Sequence, residues 1–129
     1  MIVIEWKGIT IHHSASGDVS ANVIKKWHKS RGFRTIGYHF VIRKNGSIEL
    51  GRNINLSGAH NRGKNKTHIG ICVTGHFGNQ SPKREQINSL TQLCKGLCSN
   101  YNIKKIEHHH EQCPGKLFPW EFVLQNIKE

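Results

Sequence analysis

The dipeptide Asn45-Gly46 is the tightest local constraint on this chain. Both residues accept positive φ, as a two-residue hairpin turn requires, and strand-like runs flank them at residues 38–43 and 47–50. An antiparallel pair is therefore expected in the first half. The rest of the chain alternates strand and helix patterns around it. Residues 9–12 read as a strand ending at the pair His12-His13, and residues 69–74 as a buried strand. Residues 21–31 read as a helix with Val23, Ile24 and Trp27 inward, Asp18 or Ser20 as its N-cap, and Gly32 at its stop.

The longest helix is predicted to open at Ser81-Pro82, serine capping and proline in the first turn. Its core face is Ile87, Leu90, Leu93, Cys94, Leu97 and Tyr101, which recur at helical spacing. A short strand at 103–106 then leads into a histidine cluster. A last helix over 119–127 turns Trp120, Val123, Leu124 and Ile127 inward. Residues 51–67 are rich in Gly, Asn and basic residues and read as one long loop, a length that compact domains usually keep for function. No repeat or linker divides the 129 residues, so one domain spanning 1–129 is expected.

The chemistry concentrates in two places. Residues 107–113 run Glu-His-His-His-Glu-Gln-Cys, and His12-His13 ends the first strand. Imidazole and thiolate are preferred zinc ligands, and two histidines with one cysteine leave a fourth position open for catalysis. The competing reading is a solvated histidine loop, since His-Glu-Gln-Cys is not the His-Glu-x-x-His of helical zinc proteases. Spacing alone does not rank His108, His109 and His110.

Nineteen Lys and Arg face eight acidic residues, a net charge of +11 that favours polyanionic partners such as nucleic acid, anionic lipid or an anionic cell wall. A zinc-containing nucleic-acid module is disfavoured, because the basic residues are scattered and no finger or RNA-binding spacing occurs. The N-terminus lacks the pattern of a signal peptide and no run is long enough to span a bilayer. Synthesis in the cytoplasm without membrane insertion is thus expected. Cys72, Cys94, Cys98 and Cys113 form no CxxC pairs and are expected as reduced thiols, with Cys94 and Cys98 acting as small hydrophobes.

Taken together, several motifs resemble one family. Ile11-His12-His13-Ser14-Ala15, Gly37-Tyr38-His39-Phe40-Val41-Ile42, Asn45-Gly46, Gly51-Arg52, Gly58-Ala59-His60, Asn65, 69–73, His109-His110-Glu111 and Cys113-Pro114-Gly115 follow one another in order. They resemble the successive motifs of type-2 N-acetylmuramoyl-L-alanine amidases, a family that includes phage amidases and peptidoglycan recognition proteins. The resemblance implies an α/β fold: one domain with a central mixed sheet and about three helices.

It further implies a monomeric zinc hydrolase that cuts the amide between N-acetylmuramic acid and L-alanine of bacterial peptidoglycan. His12, His109 and Cys113 are the implied zinc ligands, with His13 and His108 as neighbours. Tyr38 matches the active-site tyrosine, a strand aromatic packed in the core being its alternative. His60 matches a substrate-side histidine, set in a basic loop with Arg62 and Asn65 that is expected to meet the stem peptide. A non-catalytic recognition module is the alternative if a ligand were replaced. The segment between the His-x-Glu motif and the cysteine is shorter than in relatives. Glu111 thereby takes a slot where they carry lysine or threonine, either as general base or as a partner orienting a ligand histidine. The expected setting is a phage lysin released to the wall by a holin, or a bacterial amidase.

Overall fold

The computed structural model describes residues 3–128, so the first two residues and the last of the expected 1–129 domain lie outside the described residues. The elements are β1 (Gly8–His13), α1 (Ala21–Ser30), β2 (Phe40–Ile42), β3 (Ile48–Leu50), β4 (His68–Val73), α2 (Arg84–Tyr101), β5 (Lys105–His108) and α3 (Trp120–Lys128). The five strands form one mixed sheet in the order β3-β2-β4-β1-β5. Only β2 and β3 pair antiparallel, across the Asn45-Gly46 turn, where Gly46 has φ +90°. β1 is parallel to both β4 and β5.

Strand alternation sorts the side chains onto two faces. Ile9, Ile11, Ile69, Ile71 and Val73 join Leu90, Cys94 and Leu97 of α2 and Val123 of α3 in the main core. The other face carries Thr10, His12, Gly70 and Cys72, and there Cys72 and Val41 pack with Ile24 of α1 and Ile36 in a small second cluster. One face is thus almost wholly apolar. The opposite one holds the sheet's polar groups, and α1 covers only part of it.

Several local expectations are corrected. Trp27 is 40% exposed, and the buried face of α1 is Ile24 and His28, an i, i+4 pair. Ser20 is the cap, its hydroxyl accepting from Val23 N–H at 3.2 Å. Asp18 instead pairs with Arg43 at 3.0 Å and accepts from the Thr74 hydroxyl, tying the β1–α1 loop to the hairpin.

Helix α2 begins at Arg84 rather than at Ser81-Pro82. The buried Gln86 sets that start. Its Oε1 accepts from Lys83 N–H at 3.1 Å, and its Nε2–H donates to the Thr74 carbonyl at 2.8 Å. At the other end Asn102 takes a left-handed φ of 55°, so Ile103 enters the core and Tyr101 stays exposed. Residues 51–67 contain no helix or strand, as expected. All four cysteines are free. Among the described residues no helix is long and apolar enough to cross a membrane.

Candidate active site

The carboxyl ends of β1 and β5 open into a cleft of about 1460 Å³, the usual place for a ligand in a parallel sheet. His12 is the last residue of β1 on the polar face, where it is almost wholly buried. The same period of two runs along β5. Ile106 packs against the core while Glu107 sits beside Thr10, so His109, two residues on, falls on the His12 side. His108 falls on the other side, with its ring against Trp120 at 5.5 Å. Geometry thereby selects His109 from a trio that spacing alone leaves unranked.

Cys113 arrives on a tight turn closed by two backbone bonds, His110 N–H to the Cys113 carbonyl at 3.1 Å and Cys113 N–H to the His110 carbonyl at 2.9 Å. One ligand atom from each of His12, His109 and Cys113 lies within 4.8 Å of the other two. His12 Nδ1 is 3.7 Å from Cys113 Sγ. Zinc bonds of about 2.05 Å to nitrogen and 2.3 Å to sulfur, at a tetrahedral angle, set such atoms roughly 3.6 Å apart. The donor set fits zinc. His13 points elsewhere: its Nδ1 accepts from Phe77 N–H at 3.1 Å, and its ring lies 5.1 Å from that of His76.

Burial sets the charge state here. It pushes the His12 imidazole well below its ordinary range, and the neighbouring His60 and His109 add to that. His60 falls to about 4, chiefly through burial, against the opposing effect of its bond to the His68 carbonyl. Burial lowers His109 too, helped by His110, and raises the Cys113 thiol. Neutral imidazoles are the form a metal requires. Tyr38 lies 5.0 Å from the His12 ring, and burial followed by Cys72 and Cys113 holds its phenol far above the ordinary value. Burial therefore favours the neutral phenol of Tyr38.

The structure amends the remaining expectations. His60 lines the cleft, but both its nitrogens are engaged within the protein: Nδ1 with His12 Nε2 at 2.9 Å, and Nε2 with the His68 carbonyl at 2.9 Å. No ring nitrogen is left over for substrate. Asn65 Oδ1 accepts from the backbone N–H of both His60 and Asn61, at 2.7 and 2.8 Å, and so shapes the loop. Arg62 is an exposed cleft residue. Glu111 also lines the cleft, and among the described residues its carboxylate makes no hydrogen bond to a ligand histidine.

A family model described as N-acetylmuramoyl-L-alanine amidase matches residues 4–116, a span that contains every residue of this site. The chain belongs to that amidase family. An endolysin of Enterobacteria phage K11 is 34% identical over 105 residues, covering 78% of this chain and 70% of the relative. An endolysin of Escherichia phage T7 is 33% identical over 114 residues, 82% of this chain and 76% of the relative. Among solved structures, the N-acetylmuramoyl-L-alanine amidase LysC from Clostridium intestinale matches with a TM-score of 0.93 at 34% identity, covering 97% of this chain and 87% of that one.

In this amidase two further histidines, His28 and His68, hold structural positions that the sequence alone does not assign. His28 Nδ1 accepts from Gly37 N–H at 2.8 Å, and its ring lies 5.3 Å from that of Tyr38, so α1 braces the segment that presents Tyr38. The signal that could have found it was its i+4 relation to Ile24. His68 is buried in β4, with Nδ1 2.9 Å from Thr10 Oγ1 and 3.3 Å from Glu107.

His28 and the buried His39 each accept a backbone N–H through Nδ1, from Gly37 and Gly70 respectively, and burial lowers both below 6.5. Protonation destroys the acceptor. The unfolded chain, with histidines near 6.5, therefore takes up protons first as the pH falls, and stability drops with it. The thermal midpoint of the amidase is expected to be flat above about pH 7 and to decline steadily below about pH 6.5. A midpoint unchanged to about pH 5 in a calorimetric series contradicts this.

Proposed function

We propose that the chain is a zinc-dependent hydrolase of the amide joining N-acetylmuramic acid to L-alanine in peptidoglycan, with residues 1–129 as its catalytic domain. The observation that carries this reading is the cluster of His12, His109 and Cys113, whose donor atoms lie within 4.8 Å of one another beside a cleft that also contains Tyr38. When bound there, zinc supplies polarisation of a carbonyl and a water acidified to a pKa of about 7.

The chain's own groups supply the rest. Tyr38 keeps its proton and donates a hydrogen bond to the substrate oxygen as negative charge develops on it. Glu111 takes the proton of the attacking water and returns it to the departing amine nitrogen of L-alanine. Arg62, with Arg31 and Lys116 also lining the cleft, attracts the carboxylates of the stem peptide. Asn65 fixes the loop that carries Arg62, through its bonds to the His60 and Asn61 backbone. The net charge of +11 favours retention on an anionic wall, and the substrate sets the place of action there.

The test uses purified cell walls and counts new amino termini of L-alanine. The parent should release them and His12→Ala should not. Release of reducing sugar ends instead defeats the proposal. Glu111→Gln is expected to lower kcat by about 10²- to 10⁴-fold, the usual worth of a general base, with zinc content unchanged. Full rate in that variant removes Glu111 from the mechanism.

A further inference from the structure

We infer that His60 is a positioning residue that holds the His12 imidazole in a single tautomer, with the unprotonated Nδ1 turned toward Cys113. The inference rests on the zinc reading for its consequence, but its geometry is independent of any metal. A backbone carbonyl only accepts hydrogen bonds, so the His60 Nε2, 2.9 Å from the His68 carbonyl, bears hydrogen. In the neutral ring His60 Nδ1 is then an acceptor. It lies 2.9 Å from His12 Nε2, which must therefore donate. The neutral His12 is left with its lone pair on Nδ1, the atom 3.7 Å from Cys113 Sγ. Two hydrogen bonds in series thus carry orientation from the backbone of β4 to the end of β1.

The chain builds a slot for this relay. A Cβ at Gly58 would come 2.4 Å from the His60 ring, and one at Gly70 would come 2.5 Å from it. Two glycines are what let the ring approach both backbones so closely. The backbone N–H of His60 donates to Asn65 Oδ1 at 2.7 Å, and the His12 and His60 rings meet nearly perpendicular, at 87°. Metal-binding histidines commonly donate their other N–H to an oxygen, whereas here the acceptor is a second imidazole whose own tautomer is fixed by a carbonyl.

Two variants and two readouts test this. His60→Phe keeps the ring volume and removes the acceptor, and His60→Gln restores an acceptor and a donor. Competition with a chromogenic chelator is expected to show zinc binding about 10- to 100-fold weaker in His60→Phe, with most of the affinity recovered in His60→Gln. Long-range ¹H–¹⁵N correlation spectra of the metal-free protein should show His12 protonated at Nε2 alone in the parent, and as a mixture of both tautomers in His60→Phe.

Parent-like zinc affinity together with a single Nε2-protonated His12 in His60→Phe overturns the inference. So does a parent spectrum with His12 protonated at Nδ1, a result available even if neither variant folds. A merely structural role would lower the thermal midpoint of His60→Phe without moving the tautomer. If the parent binds no zinc, the metal reading fails, and the metal-free spectra still decide the role of His60.

Discussion

Cys113→Ser is expected to lower zinc affinity and the rate of L-alanine terminus release together, each on the order of 10³-fold or more, since several kcal/mol of charge stabilisation depend on the intact ligand set and each 1.4 kcal/mol is tenfold. The substitution removes one soft donor and little else. Cys113 is buried on a turn closed by its own backbone bonds to His110, and serine keeps both the size and the backbone. The far-ultraviolet circular dichroism of the metal-free variant should therefore match that of the parent. Metal content measured beside activity separates the outcomes. A variant that loses zinc yet lyses walls at the parental rate contradicts the metal mechanism. A variant that keeps zinc but loses activity places the cysteine's role outside ligation.

Tyr38→Phe carries the second large effect, a fall of about 10²- to 10³-fold in kcat, the range measured when one oxyanion donor is removed. Phenylalanine preserves the ring that packs 5.0 Å from His12 and 5.3 Å from His28, so zinc affinity and the thermal midpoint should stay at parental values. The drop is expected to persist across the pH range, because the phenol is held so far above its ordinary value that it never ionises near neutrality. Parental kcat in Tyr38→Phe makes Tyr38 a packing aromatic and moves oxyanion stabilisation elsewhere in the cleft.

The parts of the fold legible in the sequence are those set by local chemistry. Gly46 takes the positive φ that turns the chain into the β2–β3 hairpin, and the apolar runs give β1 and β4 with their ends shifted by about one residue. The parts that were illegible depend on partners remote in sequence. Pro82 signals a helix start, but Gln86 reaches Thr74 and moves that start to Arg84. Trp27 has the greater hydrophobicity, yet the surface facing α1 offers an amide donor at Gly37 and takes His28 instead.

The same division runs through the site. Residue types point to His12 and Cys113, and the family resemblance adds Tyr38 and His109. Strand alternation gives an independent reason for His109 once Ile106 is known to face the core. For His60 the resemblance suggests a substrate-side histidine, whereas the structure engages both its ring nitrogens internally, with a carbonyl eight residues away and a ring 48 residues away.

That spread of the donor set has a mechanical meaning. His12 and Cys113 stand 101 positions apart, on the first and last thirds of the chain. An ion gripped by both is a removable staple across nearly the whole polypeptide. In the chain-entropy model, a crosslink closing a loop of about 100 residues is worth about 4.7 kcal/mol. Metal supply and folding are then coupled, because ligand binding to the native state alone stabilises it by mass action. Under the zinc proposal, a chain short of metal is expected to be more open to proteolysis as well as inactive, so that the active form is also the durable one.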